Sequence, residues 1–211
     1  MKERTTSELI EKLGDDVDRC QATLVDAMNE GEIEPDGGLL ADYEYEARQL
    51  IRSILAYIEA VTFSVKVTCV ERCMKSGIDV SDHERYLAIE VNGALNDKGE
   101  VIERSARIRL GQNVRFAFSL LEKASGRPST FDPSDEWWSC FRETVRVRDR
   151  LMHPRMPEDI DISGSDIVNA LNARRGFDSV LLTEIERDAE RTRIDCVSHQ
   201  SSGWTSPALA D

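Results

Sequence analysis

The sequence predicts an all-α protein, an antiparallel bundle of about five to six helices with one small hairpin near residues 93–103. Apolar residues recur at three- and four-residue spacing over several long segments, which is the pattern of helices that bury one face. Only 6% of the residues are aromatic and only 6 are proline, whereas a β-sandwich or barrel needs many short strands separated by turns. A chain of 211 residues is also long enough to bury a substantial core.

The chain is expected to form a single helical domain over residues 1–195, with its core over residues 39–185. An N-terminal helix is predicted over residues 5–30 and is expected to pack on that core. Thr5 and Glu8 have the spacing of a capping box at its start, in which each side chain satisfies a backbone N–H of the first turn.

Polar segments separate or follow the periodic ones. Gly31 is expected to end the first helix, and residues 32–38, which contain a proline and two glycines, are expected to form a loop. Residues 196–211 are rich in serine and have no periodicity, which predicts a flexible tail.

The longest periodic segment runs from Leu39 to Met74, and its apolar residues cover several neighbouring faces. Such a helix is buried on most sides, so it is predicted to be the central helix of the bundle. Glu59 and Lys66 lie on largely apolar turns of this segment. They are expected to extend to solvent or to pair with other helices.

Three shorter elements follow the central helix. A capping box at residues 81–84 predicts a short helix to about Val91. The sequence Asn-Asp-Lys-Gly at residues 96–99 predicts the turn of the small hairpin, with Gly99 at positive φ. Helical spacing then returns from Ser105 to Lys123.

Two further helices complete the predicted bundle. Ser134 is expected to cap the first of them, and Pro154 is expected to end it. The last helix is expected to begin at Ser163 or Ser165 and to run to about Arg193.

The helix that ends at Pro154 carries a basic segment in an acidic chain. The whole chain has a net charge of −13, which argues against an extended surface for non-specific nucleic-acid binding. Residues 137–155 instead carry five arginines against two acidic residues, and they also hold two of the three tryptophans. This composition indicates a small, specific site for an anionic ligand. The five arginines are Arg142, Arg146, Arg148, Arg150 and Arg155.

Arg148 and His153 are the unusual positions of this helix. At about 100° per residue, Arg148 projects into the middle of the apolar side, so it must face a carboxylate, a ligand or an interface. An ideal helix would place His153 roughly 140° away. Pro154 disfavours helical geometry at the residue before it, so the helix is expected to end before His153. The imidazole would then turn back toward Arg148, or two chains would complete one another's site.

Residues 148–153 read Arg-Asp-x-x-x-His and resemble the Arg-x(4–6)-His signature of the HEPN superfamily. Residues 59–66 carry the Glu-Ala-x-x-Phe-x-x-Lys pattern that is similar to the long helix preceding that signature. The resemblance extends over roughly Leu39 to Ile185. It implies a helical bundle that forms a homodimer around the motif helices. Asp149 departs from the commoner asparagine.

For many members of the superfamily, the resemblance implies metal-independent RNA cleavage to a 2′,3′-cyclic phosphate, in toxin–antitoxin, anti-phage or RNA-processing systems. By this match Arg148 would bind the scissile phosphate and His153 would act as general base or acid. Asp149 would orient His153 or a neighbouring donor. No cofactor and no metal are expected. The predicted substrate-binding residues are Arg146, Arg150 and Arg155.

Other interpretations stay open. Arg148 in a core salt bridge, with His153 as a cation at a helix end, would be purely structural. Some members of the superfamily lack activity, and the chain would then be a non-catalytic interaction module or a nucleotide-binding bundle.

The sequence also bears on the location of the protein and on the state of its cysteines. The N-terminus lacks the apolar core of a signal peptide, and no window is expected to reach the roughly 20 apolar residues of a membrane span. We therefore expect a cytoplasmic protein that does not associate with a membrane. The resemblance implies that its partners are RNA, a second copy of the chain and a protein antitoxin or regulator. Five scattered cysteines are expected to be free thiols. Cys69 and Cys73 have no second pair to complete a metal site.

Overall fold

The computed structural model describes the backbone of residues 2–30 and 41–201, and the side chains of residues 7–29 and 43–190. The predicted all-α class and the small hairpin are confirmed. The elements are α1 (Lys2–Glu30), α2 (Ala41–Lys75), α3 (Asp82–Ala88), β1 (Val91–Leu95), β2 (Val101–Ser105), α4 (Leu110–Ser125), α5 (Glu136–Met152), a 3-10 turn (Pro157–Ile160) and α6 (Gly164–Ser201).

Helix α2 is the centre of the bundle, as its periodicity predicts. It packs against α1, α4, α5 and α6. Its apolar side chains form the core together with those of the surrounding helices, and several of them are fully buried. The fully buried apolar residues of α2 are Ala47, Leu50, Ile51, Ile54, Leu55, Ile58 and Cys73.

The membrane test corrects one expectation from the sequence. Residues Tyr43–Lys75 of α2 are long and apolar enough to cross a membrane, whereas the sequence alone suggested no such window. In the bundle these apolar residues face other helices, and the charged side chain of Lys66 is fully buried among them. The core helix of a bundle meets the same length and composition criteria, and many apolar side chains of α2 are buried against other helices.

Helices α5 and α6 approach each other unusually closely. A methyl group added at Gly176 of α6 would lie 2.2 Å from Cβ of Trp137 and 2.4 Å from its Cγ. Trp137 and Trp138 of α5 also pack against Phe131, with ring centroids 5.7 and 5.1 Å away. This aromatic cluster fixes the N-terminal half of α5, and it thereby sets the position of the basic segment.

The hairpin is tied to the bundle through Lys66. The Lys66 ammonium group donates to Glu90 Oε1 at 2.7 Å, to Asn113 Oδ1 at 2.6 Å and to the Leu87 carbonyl at 3.4 Å. Glu90 adopts a φ of 56° just before β1, which is unusual for a residue with a side chain. The buried network therefore joins α2, α4 and the segment that leads into the hairpin.

The small hairpin has the predicted turn. Strands β1 and β2 are antiparallel, with Leu95 opposite Val101, and Gly99 has a φ of 76°. Because β2 extends to Ser105, helix α4 begins at Leu110, later than the predicted start at Ser105. The capping box of α3 is present, but the helix ends at Ala88 before the strand begins.

Two predicted helix starts are wrong. Helix α1 already begins at Lys2, so Thr5 lies within it. Asp135 is the N-cap of α5, whereas Ser134 donates its hydroxyl to Asp132 in the preceding turn. Ser163 does cap the last helix, because its hydroxyl accepts from the Asp166 N–H at 3.3 Å.

The predicted connecting segment and tail are described only in part. Gly31, which was expected to end α1, and the predicted loop at residues 32–38 lie outside the described residues. Helix α6 continues to Ser201, so the first residues of the predicted tail at 196–211 are helical. Residues 202–211 also lie outside the described residues.

Candidate functional site at the end of helix α5

His153 leaves the helix as Pro154 predicts. Helix α5 ends at Met152, and His153 is its C-cap residue with φ −134° and ψ 54°. The His153 backbone N–H still donates to the carbonyls of Asp149 and Arg150, at 3.2 and 3.3 Å. Its side chain is exposed, and within the described part of the chain the imidazole has no hydrogen bond or ion pair. It is therefore accessible to a ligand.

Arg148 lies at the edge between α5 and α2, on the apolar side that its helical position predicts. Its side chain is 24% exposed, so it is half-buried and does not lie in the core. Nε and Nη2 donate to Asp149 Oδ1 at 3.3 and 3.1 Å. Nη1 lies 3.9 Å from Glu59 Oε2 on α2. The expected carboxylate partner is thus present.

Asp149 is turned toward Arg148. Its carboxylate accepts two hydrogen bonds from that guanidinium, and between the described side chains no hydrogen bond joins Asp149 to His153. Within the described residues, no hydrogen bond therefore supports the predicted role of Asp149 in orienting His153. Arg148 and His153 likewise share no hydrogen bond, although both lie at the C-terminal end of α5.

The three predicted substrate-binding arginines have different surroundings. Arg146 is exposed and pairs with Glu143 one turn earlier. Arg150 donates to the carbonyls of Glu158 and Asp161, at 3.1 and 2.8 Å. These two bonds hold the 3-10 turn against α5, so Arg150 is a structural residue in this chain.

Arg155 follows the helix end on the exposed surface. Its backbone N–H donates to Asp159 Oδ2 at 2.6 Å, which shapes the loop. Within the described residues its guanidinium has no hydrogen bond or ion pair. Arg155 is thus available to an anion, unlike Arg150.

One exposed stripe runs along α5. Positions three and four residues apart on α5 share a face, and this stripe combines two arginines with the carboxylate and the imidazole of the motif. Arg142 belongs to it and was not among the predicted site residues. The exposed members of the stripe are Ser139, Arg142, Arg146, Asp149 and His153.

The immediate charge around Arg148 is negative. One guanidinium is contacted by two carboxylates, those of Glu59 and Asp149. Two carboxylates around one cation leave no unopposed positive charge for a phosphate. An anion that binds Arg148 must therefore displace at least one of them.

A second polar cluster surrounds Lys66 but offers no open site. Burial is the main cause that lowers the Lys66 pKa, while the hydrogen bond and charge of Glu90 oppose the shift. The ammonium group has three acceptors, which is the full capacity of its three donors. This cluster is accordingly a structural network.

The described residues contain neither a cluster of metal ligands nor a reactive thiol among Cys69 and Cys73. No group of three or more histidine, cysteine or acidic side chains is placed to hold a metal ion there. Cys69 and Cys73 are buried and free, and burial raises the pKa of the Cys69 thiol to about 12. Such a thiol is almost entirely protonated at neutral pH and is a poor nucleophile.

Comparisons of the chain with models of known protein families, with curated proteins and with solved structures find no match.

Proposed function

We propose that the chain is a metal-independent endoribonuclease of the HEPN type, with its site at the C-terminal end of α5. The proposal rests on one observation: His153 is the C-cap residue after the last turn of α5, and its imidazole is exposed. An exposed imidazole can act as a general acid or base toward a bound substrate. Arg148 precedes it by five residues, or about 7.5 Å along a helix axis.

The proposed reaction is an internal transfer at phosphorus. His153 accepts the proton of a ribose 2′-hydroxyl, and the freed oxygen attacks the adjacent phosphorus. The bond from phosphorus to the 5′ oxygen breaks, and that oxygen takes a proton from solvent or from the imidazole of a second copy. The products are a 2′,3′-cyclic phosphate and a 5′-hydroxyl. Arg148 stabilises the charge that develops on the phosphoryl oxygens, because a guanidinium binds two of them at once.

Arg142 and Arg146 are exposed on α5, and Arg155 is exposed just after the helix. In the proposal they contact the RNA backbone on either side of the scissile phosphate, in place of the structural Arg150. A short track of this kind suits a chain with a net charge of −13, because it binds a defined RNA without an extended basic surface.

The proposed active form is a homodimer. No hydrogen bond joins Arg148 to His153 among the described side chains, and in the proposal a second copy of α5 brings the two groups together at one site. Exposed apolar side chains lie next to His153, with Met152 57% and Met156 63% exposed. Contiguous exposed apolar patches mark protein interfaces, and in the proposal these two methionines are part of the dimer interface. A toxin–antitoxin, anti-phage or RNA-processing role, with a protein antitoxin or regulator as partner, belongs to the same proposal, as does a cytoplasmic location.

The test is cleavage of a labelled RNA in EDTA. Wild type should cleave, and His153→Ala and Arg148→Ala should lose activity by a factor of about 100 or more, the usual contribution of a general acid or base. His83→Ala is the matched control, because His83 is also an exposed histidine, in the first turn of α3. Equal activity of His153→Ala and His83→Ala would reject the proposal.

A second candidate is a non-catalytic module that binds a protein or a nucleotide. The observation that favours it is the pairing of Arg148 with Glu59 and Asp149, which resembles a structural ion pair at a helix–helix edge. Calorimetry with nucleotides separates the two candidates. Binding of a nucleotide that depends on Arg148, together with no cleavage of RNA by wild type, would favour the second.

A further inference from the structure

The Arg148 guanidinium lies between two carboxylates that differ in how firmly they are held. Asp149, its neighbour in sequence, accepts two hydrogen bonds from it. Glu59 comes from α2 and reaches only 3.9 Å, which is an ion-pair distance too long for a hydrogen bond. The Glu59 side chain is 55% exposed, so it has solvent into which it can turn.

The contact between Glu59 and Arg148 is not needed to hold the two helices together. Helices α2 and α5 already contribute buried apolar residues to one continuous core, including Ile58 and Val147. An ion pair at this exposure adds little to stability, because water screens it and two long side chains lose freedom. A phosphate would instead bind the guanidinium through two parallel hydrogen bonds, which are stronger than one distant contact.

We propose that Glu59 is an internal competitor for the phosphate-binding face of Arg148. In the unliganded chain its carboxylate is one of the two that oppose the guanidinium charge, and RNA binds only after the Glu59 side chain has turned into solvent. Glu59 thereby lowers the affinity of the site for RNA. This inference rests on the proposed function, because it takes an RNA phosphate as the ligand of Arg148.

The experiment measures binding separately from cleavage. A fluorescent RNA with 2′-O-methyl groups cannot undergo attack by its 2′-hydroxyls, so anisotropy reports affinity alone. Glu59→Gln should bind this RNA about 1.5- to 5-fold more tightly than wild type, the range expected for an exposed ion pair. The gain should vanish when Arg148→Ala is added, because the competition acts through that guanidinium.

Glu71→Gln is the matched control. Glu71 is an exposed glutamate on the same helix, twelve residues beyond Glu59 and therefore about 18 Å away along the axis. It removes the same formal charge without contacting Arg148. An equal gain in Glu71→Gln would show a general charge effect and would overturn the proposal.

The remaining outcomes separate this inference from the proposed function. Weaker binding by Glu59→Gln would make Glu59 a positioning residue and not a competitor. Arg148-dependent cleavage by wild type without any gain in Glu59→Gln would sink the inference and leave the proposed function standing. An Arg148-dependent gain in binding without cleavage by any variant would support the competition and reject the ribonuclease. Absence of Arg148-dependent binding in Glu59→Gln, together with no Arg148-dependent cleavage by any variant, would overturn both.

Discussion

Substitution of Gly176 by alanine tests the packing that positions the motif helix. The added Cβ would lie 2.2 Å from Trp137 Cβ, whereas carbon atoms in contact are separated by about 3.5–4.0 Å. Trp137 Cβ is attached directly to the backbone of α5, so no side-chain rotation can move it away. Helices α5 and α6 must therefore separate by roughly 1 Å or more at this point.

Two opposing effects set the size of the change in stability. Overpacking of a close contact costs about 1–3 kcal/mol of stability. The cost here is expected near the upper end of that range, because Trp137 Cβ is attached directly to the backbone. Alanine is favoured over glycine inside a helix by about 1 kcal/mol. The net expected loss is about 2 kcal/mol, which lowers the melting temperature of a domain of this size by roughly 4–8 °C.

Urea and thermal unfolding followed by circular dichroism measure this loss. Gly14→Ala is the control, because the new methyl group would lie 3.9 Å from Tyr57 Cε2, an ordinary contact, in the interior of α1. That variant should be more stable than wild type by up to about 1 kcal/mol. If Gly176→Ala were as stable as Gly14→Ala, the close approach of α5 and α6 would be wrong.

Three further predictions test other parts of the chain. Lys66→Met should destabilise the fold by about 2–4 kcal/mol in urea titrations, because the acceptors of its ammonium group lose their donor; no loss would contradict the buried network. Hydrogen bonds from Lys123 and the capping box lower the pKa of Glu84 to about 2, so wild type should lose stability as pH falls from about 4.5 toward 2, and Glu84→Gln should flatten that loss. Mixing Arg148→Ala with His153→Ala chains should restore RNA cleavage if two chains share each site, whereas activity that stays absent would contradict a shared site.

The fold could be predicted because its main signals are local and repeated. The apolar period of α2 and the Gly99 turn both appear in the sequence and both determine structure nearby. Single-residue assignments were less secure, as the caps show. Ser134 and Asp135 are adjacent residues that both suit a helix start, and only the turn at Asp132 decides which of them caps α5.

The surroundings of the site could be predicted only in part. The side of α5 that carries Arg148 follows from helical angles, and the release of His153 follows from Pro154. The partners of Arg150 depend on the path of the loop after the helix, which no periodicity encodes. Glu59 stands 89 residues before Arg148, so their contact depends on how α2 and α5 pack.

The expectation that no window of the sequence is long and apolar enough to span a membrane was wrong for a related reason. A central helix and a membrane span have the same length and composition, because both bury apolar residues on most sides. In α2, packing against the other elements buries the Lys66 side chain beside Glu90. Sequence windows alone do not contain that information.

The most direct test of the central claim is the chemistry of the RNA ends after incubation with the protein in EDTA. The proposed role of His153 predicts products with a 2′,3′-cyclic phosphate and a 5′-hydroxyl, formed by wild type and by His83→Ala but not by His153→Ala. Products with other ends, or cyclic phosphate formed equally by His153→Ala, would contradict the proposed site at the end of α5.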